Sequence, residues 1–129
     1  MIKIGGHVFP KREQDARDPE VLARLAKKMG YTAVYAPDYL TIDEPDEIRK
    51  AREAFEKEGL VIAEVGYWQN MLDTREEVRK KNREEMKKAF YLAEELGAKC
   101  VVNTAGSYCQ GEGFTDHNPK NFKIGRAHV

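Results

Sequence analysis

Four side chains with useful chemistry lie at or near the ends of apolar segments in this sequence. His7 ends the first segment, Glu64 and Trp68 belong to the third segment and the residues after it, and Asn103 ends the fourth. An imidazole, a carboxylate, an indole ring and an amide together supply hydrogen-bond donors, acceptors and one flat aromatic face. Such a set is suited to holding a polyhydroxylated ligand, so these four residues are the predicted substrate contacts.

Each of the four also has a structural interpretation that the sequence leaves open. Glu64 lies within an apolar segment, where an unpaired carboxylate is costly, so it is either functional or a buried hydrogen-bond partner. Trp68 is either a packing residue or a wall for a sugar ring, and His7 by itself is only weak support for a ligand contact. Asn103 is typical of a turn as well as of a ligand contact.

A recurring pattern predicts the elements that carry these residues. Charged helical segments end in glycine at Gly30, Gly59 and Gly97, and an apolar segment follows each of them. Glycine just after a helix adopts the left-handed conformation without a steric penalty and thereby caps the helix. The apolar segments are rich in valine, isoleucine and tyrosine and show little alternation, which is typical of strands covered on both faces.

These signals predict an alternating order of strands and helices. The predicted elements are strand 2–9, helix 18–29, strand 32–36, helix 45–58, strand 60–66, helix 74–97 and strand 99–104. Alternation of this kind indicates an α/β fold with right-handed crossovers and a parallel sheet. Functional groups in such folds collect at the carboxyl ends of the strands, where the four candidate residues are expected.

The helices carry their own start signals. Asp18 followed by Pro19 predicts a capped first helix, and residues 74–77, Thr-Arg-Glu-Glu, predict a capping box for the longest helix. Within the longest helix, a stripe of apolar residues at helical spacing is predicted to pack on the sheet: Met86, Ala89, Phe90, Ala93 and Leu96.

Composition and charge exclude several classes of protein. The chain has 129 residues with 22 basic and 22 acidic side chains, so neither nucleic acid nor an anionic membrane is a predicted partner. No apolar segment is long enough to cross a membrane, and neither a secretory signal nor a glycine-rich phosphate cradle is visible. The 2 cysteines, Cys100 and Cys109, do not make a disulfide framework, so a cytoplasmic protein is expected.

Four segments of the sequence, taken together, are similar to one enzyme family. Residues 62–70 read Ile-Ala-Glu-Val-Gly-Tyr-Trp-Gln-Asn, and residues 96–107 read Leu-Gly-Ala-Lys-Cys-Val-Val-Asn-Thr-Ala-Gly-Ser. Residues 3–7 read Lys-Ile-Gly-Gly-His, and residues 116–122 read Asp-His-Asn-Pro-Lys-Asn-Phe. These segments resemble the sugar phosphate isomerase/epimerase family, which has the xylose isomerase-like (β/α)8 barrel. Since such a barrel needs about 250 residues, the resemblance implies the first half of a TIM barrel, truncated after strand 4.

The resemblance implies a divalent-metal enzyme, with Mn, Mg, Co or Zn as the cofactor, that acts on a carbohydrate or polyol. Such an enzyme moves a proton between neighbouring carbons. The family's metal ligands, typically two Glu with an Asp and a His, come from strands five to eight, so this chain has no position that matches a metal ligand or a catalytic residue. His7, Glu64, Trp68 and Asn103 would contact the substrate. The full-length protein would be an isomerase or epimerase, with a homo-oligomer left open, and this fragment alone would be inactive.

The same superfamily resemblance extends to the zinc-dependent apurinic endonucleases. Those enzymes place zinc-ligating histidines at strand ends in the first half of the barrel, whereas strands two, three and four here end in Tyr35, Trp68 and Asn103. The absence of histidine from these positions, together with the zero net charge, argues against an enzyme that acts on DNA.

The end of the sequence has an unusual coding property. Residues 124–129, Ile-Gly-Arg-Ala-His-Val, can be back-translated into the start of a common sequencing-library adapter. We therefore expect residues 1–122 to be the N-terminal half of a barrel domain and residues 123–129 to be a non-native tail. A natural polar terminus is the alternative interpretation.

A second function class remains open at the level of the sequence. The four predicted strands and three predicted helices would also make a small flavodoxin-like domain that binds or regulates without catalysis. A missing final helix to cover the fourth strand argues against this alternative.

Overall fold

The computed structural model describes residues 2–108 and residue 110 of the chain. Predictions that concern Cys109 and the residues from 111 to 129, which include the expected tail, lie outside the described residues. The described residues fall into two compact units. The first unit extends to Gly66 and includes Lys88–Val102, and the second contains Tyr67–Lys87 and the described residues from Asn103 onward.

Strands and helices alternate along the described chain, as the sequence predicts. The strands are β1 (Gly5–Gly6), β2 (Ala33–Tyr35), β3 (Val61–Tyr67) and β4 (Cys100–Asn103), and the helices are α1 (Pro19–Lys28), α2 (Pro45–Lys57) and α3 (Glu76–Leu96). A 3-10 helix at Glu13–Arg17, which the sequence patterns do not predict, precedes α1. The four strands are parallel and form one sheet, which confirms the predicted α/β class.

Strand order separates a half barrel from a flavodoxin-like sheet. The order in the described sheet is β1-β2-β3-β4, so each strand lies beside the next one along the chain. A flavodoxin-like sheet has β1 between β2 and β3, whereas here β2 pairs directly with β3, with Ala33 opposite Val61 and Val34 opposite Ile62. The flavodoxin-like alternative is therefore wrong about the fold, and the βα units are those of the N-terminal half of a TIM barrel.

The first strand is much shorter than the predicted 2–9. One reason is the side chain of Thr32, whose Oγ1 accepts a hydrogen bond from the backbone N–H of Ile4 at 2.9 Å. In a longer strand that N–H would instead bond to a backbone carbonyl of the neighbouring strand. The backbones of β1 and β2 also approach closely, since a Cβ atom on Gly5 would overlap the carbonyl oxygen of Ala33. Only glycine fits at that point, and glycine is a weak strand former.

The predicted helix ends are confirmed where local chemistry sets them. Gly30, Gly59 and Gly97 all have positive φ, with values of 79°, 68° and 68°. At the start of α1, the Asp18 carboxylate accepts hydrogen bonds from the backbone N–H groups of Glu20 and Val21, at 3.0 and 3.2 Å. These contacts satisfy amides that have no partner inside the helix.

The capping box predicted for α3 is wrong. The helix begins at Glu76, two residues later than predicted, and the Thr74 side chain makes no hydrogen bond within the described part of the chain. The side-chain contact at this point comes from Asp73 instead. Its Oδ1 accepts a hydrogen bond from the backbone N–H of Arg75, the residue just before the helix, at 2.9 Å. A carboxylate accepts a stronger hydrogen bond than a hydroxyl and also favours the positive end of the helix dipole.

The apolar stripe of α3 is confirmed in part. Ala89, Leu92, Ala93 and Leu96 are buried, whereas Phe90, predicted to pack on the sheet, is 55% exposed. Met86 is half-buried, and Leu92, which the predicted stripe leaves out, is buried.

The core of the first unit lies where α1 and α2 pack on the sheet. Its buried residues come from both helices and from β2 and β3, and they include Leu22, Ala26, Val34, Ala51, Phe55 and Ile62. Phe55 is the largest fully buried side chain among the described residues. None of the described helices has both the length and the apolar character needed to span a membrane.

Candidate functional site

An aromatic pair stands at the carboxyl ends of the first two strands. His7 follows β1 directly and Tyr35 is the last residue of β2, and their ring centroids are 4.7 Å apart with the planes at 84°. The Phe9 ring lies on the other side of His7, at 5.5 Å between centroids. A T-shaped ring contact of this kind orients the imidazole, and neither of its nitrogens makes a hydrogen bond to the residues that the structure describes.

The aromatic pair opens into a cleft of about 250 Å³ in the first unit. Aromatic rings and a few polar groups line it, and its walls include His7, Phe9, Arg17, Tyr35, Asp38 and Tyr39. Clefts that combine flat apolar faces with a small number of polar groups are typical of sites for small ligands.

Tyr39 is the most perturbed titratable group of the cleft. Its hydroxyl is buried and has no hydrogen-bond partner among the described residues. Burial, with help from the carboxylates of Glu47 and Asp18, raises the pKa of Tyr39 from 10.0 to about 12. The guanidinium of Arg17 lies 5.3 Å from the centre of the Tyr39 ring, a cation–π distance, and acts in the opposite direction on this pKa.

We expect the Tyr39→Phe substitution to raise the free energy of unfolding by about 1 kcal/mol at neutral pH, because it removes a buried hydroxyl that lacks a partner. The pKa of Tyr39 is higher in the folded than in the unfolded state, so its ionisation has no effect on stability well below pH 10 and destabilises the folded state as the pH rises from 10 towards about 12. The stability advantage of Tyr39→Phe should therefore grow over that range. Urea unfolding of both proteins at neutral and high pH, at one protein concentration, measures this difference.

Tyr91→Phe is the matched control for this prediction, because Tyr91 is 61% exposed on α3. Its free energy of unfolding should follow that of the parent chain at both pH values. A loss of stability in Tyr39→Phe at neutral pH would mean that the hydroxyl has a partner, and the explanation by desolvation would be wrong.

Glu64 lies beside Tyr35 in the sheet. The two residues are register partners across β2 and β3, and an irregularity just before them leaves Ala63 without a partner on β2. The Glu64 side chain is half-buried, and within the described chain its carboxylate makes no hydrogen bond or ion pair. Bulges of this kind often occur beside sites, where they redirect a side chain. The described structure therefore contains an available carboxylate next to the aromatic pair.

Trp68 and Asn103 belong to the second unit. Trp68 follows β3 and is 41% exposed, and Asn103 is the last residue of β4 and half-buried. The structure therefore brings His7 and Glu64 to two sides of Tyr35 in the first unit, while the other two predicted contacts follow the strands that lead into the second.

Sequence reasoning missed a buried polar network in the second unit. Asn70, Asp73, Asn82 and Ser107 are each at most 7% exposed. The carboxylate of Asp73 also receives two hydrogen bonds from the guanidinium of Arg75, at 3.0 and 2.9 Å. The only signal in the sequence is the density of amide and carboxylate residues just after the third strand, a composition equally typical of an exposed loop.

The described residues do not bring together three histidine, cysteine, aspartate or glutamate side chains in an arrangement that would hold a metal ion. The residues present therefore do not fit the divalent cation that the family resemblance implies, and no metal ligand is assigned to them.

Comparisons with known proteins agree with this fold. The profile of the xylose isomerase-like TIM barrel family matches residues 23–123. The structure of the 3-keto-D-glucoside 4-epimerase YcjR from E. coli superposes with a TM-score of 0.68 at 18% identity, over 95% of this chain and 44% of that one. A protein of Rhodospirillum rubrum assigned by its name to the xylose isomerases has a TM-score of 0.65 at 20% identity, over 84% of this chain and 40% of that one.

No curated protein matches the sequence. The chain spans less than half the length of either similar structure, at 44% and 40%. The family profile, in contrast, covers most of the chain, from within α1 through β4, and so includes β2, β3, β4 and the helices between them. This chain therefore belongs to the xylose isomerase-like TIM barrel family, and its strands correspond to the N-terminal half of that barrel.

Proposed function

We propose that this chain is the substrate-side half of a carbohydrate isomerase or epimerase that moves a proton between adjacent carbons. The observation that carries the proposal is an aromatic cleft at the carboxyl ends of β1 and β2, where barrels of this type hold their ligands. The family match includes the β2 side of this cleft, from Val34 to Tyr39. The structural similarity to a 3-keto-D-glucoside 4-epimerase supports a sugar as the substrate class.

The four predicted contacts have distinct roles in this proposal. The rings around His7 offer apolar faces against which the C–H face of a sugar stacks, and the imidazole hydrogen-bonds a hydroxyl. The Glu64 carboxylate accepts from a second hydroxyl. In the second unit, Trp68 and Asn103 are the other two proposed substrate contacts, with a stacking face and an amide.

We also propose that the natural protein continues beyond residue 122 and that its proton-transfer and metal-holding groups lie in the continuation. The described residues bring no such set together. In this proposal residues 123–129 are a non-native tail, and the 129-residue chain alone binds weakly and does not turn over substrate.

The first test reads the source locus past the codon for Phe122 and expresses the longer frame. The longer protein and the 129-residue chain are each incubated in D2O with a panel of ketoses, aldoses and 3-keto-glucosides. Proton transfer at the carbon next to a carbonyl group introduces deuterium at that neighbouring carbon. We expect incorporation with the longer protein and none above background with the 129-residue chain. A longer protein that exchanges no deuterium into any of these sugars would overturn the assignment.

In the longer protein, His7→Ala is expected to raise KM about tenfold, the equivalent of about 1.4 kcal/mol for one lost polar contact. Phe90→Ala is the control, because Phe90 is an aromatic residue on α3 that is exposed and does not line the cleft. A KM that changes equally in both variants, or in neither, would remove His7 from the proposed site.

A further inference from the structure

The Asn70 side chain forms a two-way contact with one residue of the segment that follows β4. Its Nδ2 donates to the carbonyl oxygen of Ser107 at 2.9 Å, and its Oδ1 accepts from the backbone N–H of Ser107 at 2.9 Å. Asn70 and Ser107 are 2% and 5% exposed. A single amide therefore satisfies both backbone groups of a buried residue that is 37 positions away in the chain.

The turn that carries Asn70 is itself held from two directions. Oδ1 of Asn70 also accepts from the backbone N–H of Leu72 at 3.1 Å, which fixes the side chain against its own turn. The backbone oxygen of Asn70 accepts from Nδ2 of Asn82 on α3 at 2.8 Å, and Asn82 is 7% exposed. These contacts make the Asn70 amide a rigid group rather than a mobile one.

Gly106 shows that the segment after β4 is shaped around this amide. Its φ is +94°, a conformation that favours glycine, and a Cβ atom at this position would overlap Oδ1 of Asn70. Any larger residue at position 106 would push the segment away from Asn70 and break the two bonds to Ser107.

We propose that Asn70 is a positioning residue, which joins the segment that carries Trp68 to the segment that carries Asn103. Trp68 lies just before Asn70, and Asn103 lies just before the segment that ends at Ser107, so one amide sets the separation of two substrate contacts in the second unit. The functional part of this inference rests on the proposed function, whereas the joining of the two segments does not.

The two hydrogen bonds between the Asn70 side chain and the Ser107 backbone are called the junction below. Two measurements that need no ligand test it. Since Trp68 is the only tryptophan of the chain, the quenching of its fluorescence by iodide reports on its surroundings alone. Hydrogen exchange at the Ser107 amide reports on its bond to Asn70. In Asn70→Ala we expect exchange at Ser107 to accelerate at least tenfold and quenching of Trp68 to change, while the buried amide of Val34 in β2 stays protected.

Gln69→Ala is the matched control, because Gln69 is the exposed neighbour of Asn70 and has no hydrogen bond to the residues that the structure describes. It should leave both readouts unchanged. Gly106→Ala is a second and independent route, and it should accelerate exchange at Ser107 as Asn70→Ala does. Unchanged exchange at Ser107 in both Asn70→Ala and Gly106→Ala would overturn the proposal.

A double-mutant cycle gives the coupling between the two positions. Gly106→Ala should accelerate exchange more in the parent chain than in Asn70→Ala, because the alanine side chain no longer meets the amide. Equal effects in the two backgrounds would contradict the junction.

The longer protein separates this inference from the proposed function. Asn70→Ala should raise KM several-fold with a smaller change in kcat, because it displaces substrate contacts and not reacting groups. If exchange at Ser107 responds to Asn70→Ala as expected but the longer protein is inactive, the proposed function is wrong and the junction stands. If the longer protein is active and Asn70→Ala leaves its KM unchanged, the positioning role is wrong and the proposed function stands.

Discussion

Replacing Asp73 with alanine is expected to lower the free energy of unfolding by about 3 kcal/mol. The Asp73 side chain is fully buried, and it accepts hydrogen bonds from the backbone N–H and from the guanidinium of Arg75. This contact raises the pKa of Arg75, which shows that the carboxylate favours the charged guanidinium. With alanine at position 73, the backbone N–H of Arg75 loses its hydrogen-bond acceptor. The substitution also leaves a buried cavity in place of the carboxylate. Urea unfolding followed by circular dichroism measures the loss.

The matched control is Asp46→Ala. Asp46 lies in the first turn of α2 and, like Asp73, pairs with an arginine, Arg49, at 2.7 Å, but its side chain is 79% exposed. A solvated ion pair of this kind contributes little to stability, so Asp46→Ala should lower the free energy of unfolding far less than Asp73→Ala does. If the two substitutions lower stability equally, burial is not what gives the Asp73 contact its strength.

Phe55→Ala is expected to cost about 4 kcal/mol, enough to unfold a marginally stable domain. Phe55 is 2% exposed on α2 and is the largest fully buried side chain among the described residues. Its removal loses the transfer free energy of the ring and leaves a cavity that the small residues around it, such as Ala51, cannot fill. Thermal unfolding at one fixed protein concentration, with hydrogen exchange at Val34 as a local probe, measures the effect.

Phe90→Ala is the control for Phe55→Ala, because it removes the same ring from a helix position that is 55% exposed. We expect it to cost less than about 1 kcal/mol. A cost near that of Phe55→Ala would mean that the Phe90 ring is covered in solution, for example by another copy of the chain.

The order of the helices and strands and most of the helix ends follow from the sequence because they depend on neighbouring residues. The glycine after each helix ends it by adopting a positive φ, which depends only on that residue's own backbone. Asp18 caps α1 by accepting hydrogen bonds from the backbone N–H groups two and three positions later in the chain. At the start of α3 the local pattern was insufficient, because it predicted a cap by Thr74, whereas the carboxylate that accepts a backbone hydrogen bond there belongs to Asp73. The choice there depends on burial, which the sequence does not contain.

The candidate site could be predicted only as a set of residue types at strand ends. His7 and Glu64 were found because polar groups are unusual in apolar segments, and strand direction placed them at one edge. Tyr39 and the Asn70 network were missed because each looks like an ordinary loop residue. Their chemistry arises from surroundings that desolvate a hydroxyl or pair an amide.

By itself, the sequence determined the alternation of strands and helices, the cap of α1, the glycine ends of the helices and the family of this protein, because these depend on short segments and on their spacing. Only the tertiary structure decided the strand order, the contact of His7 with Tyr35 and the bonds from Asn70 to Ser107. The physical reason is distance along the chain. The contact partners come from separate βα units, and only the packing of those units determines which side chains meet.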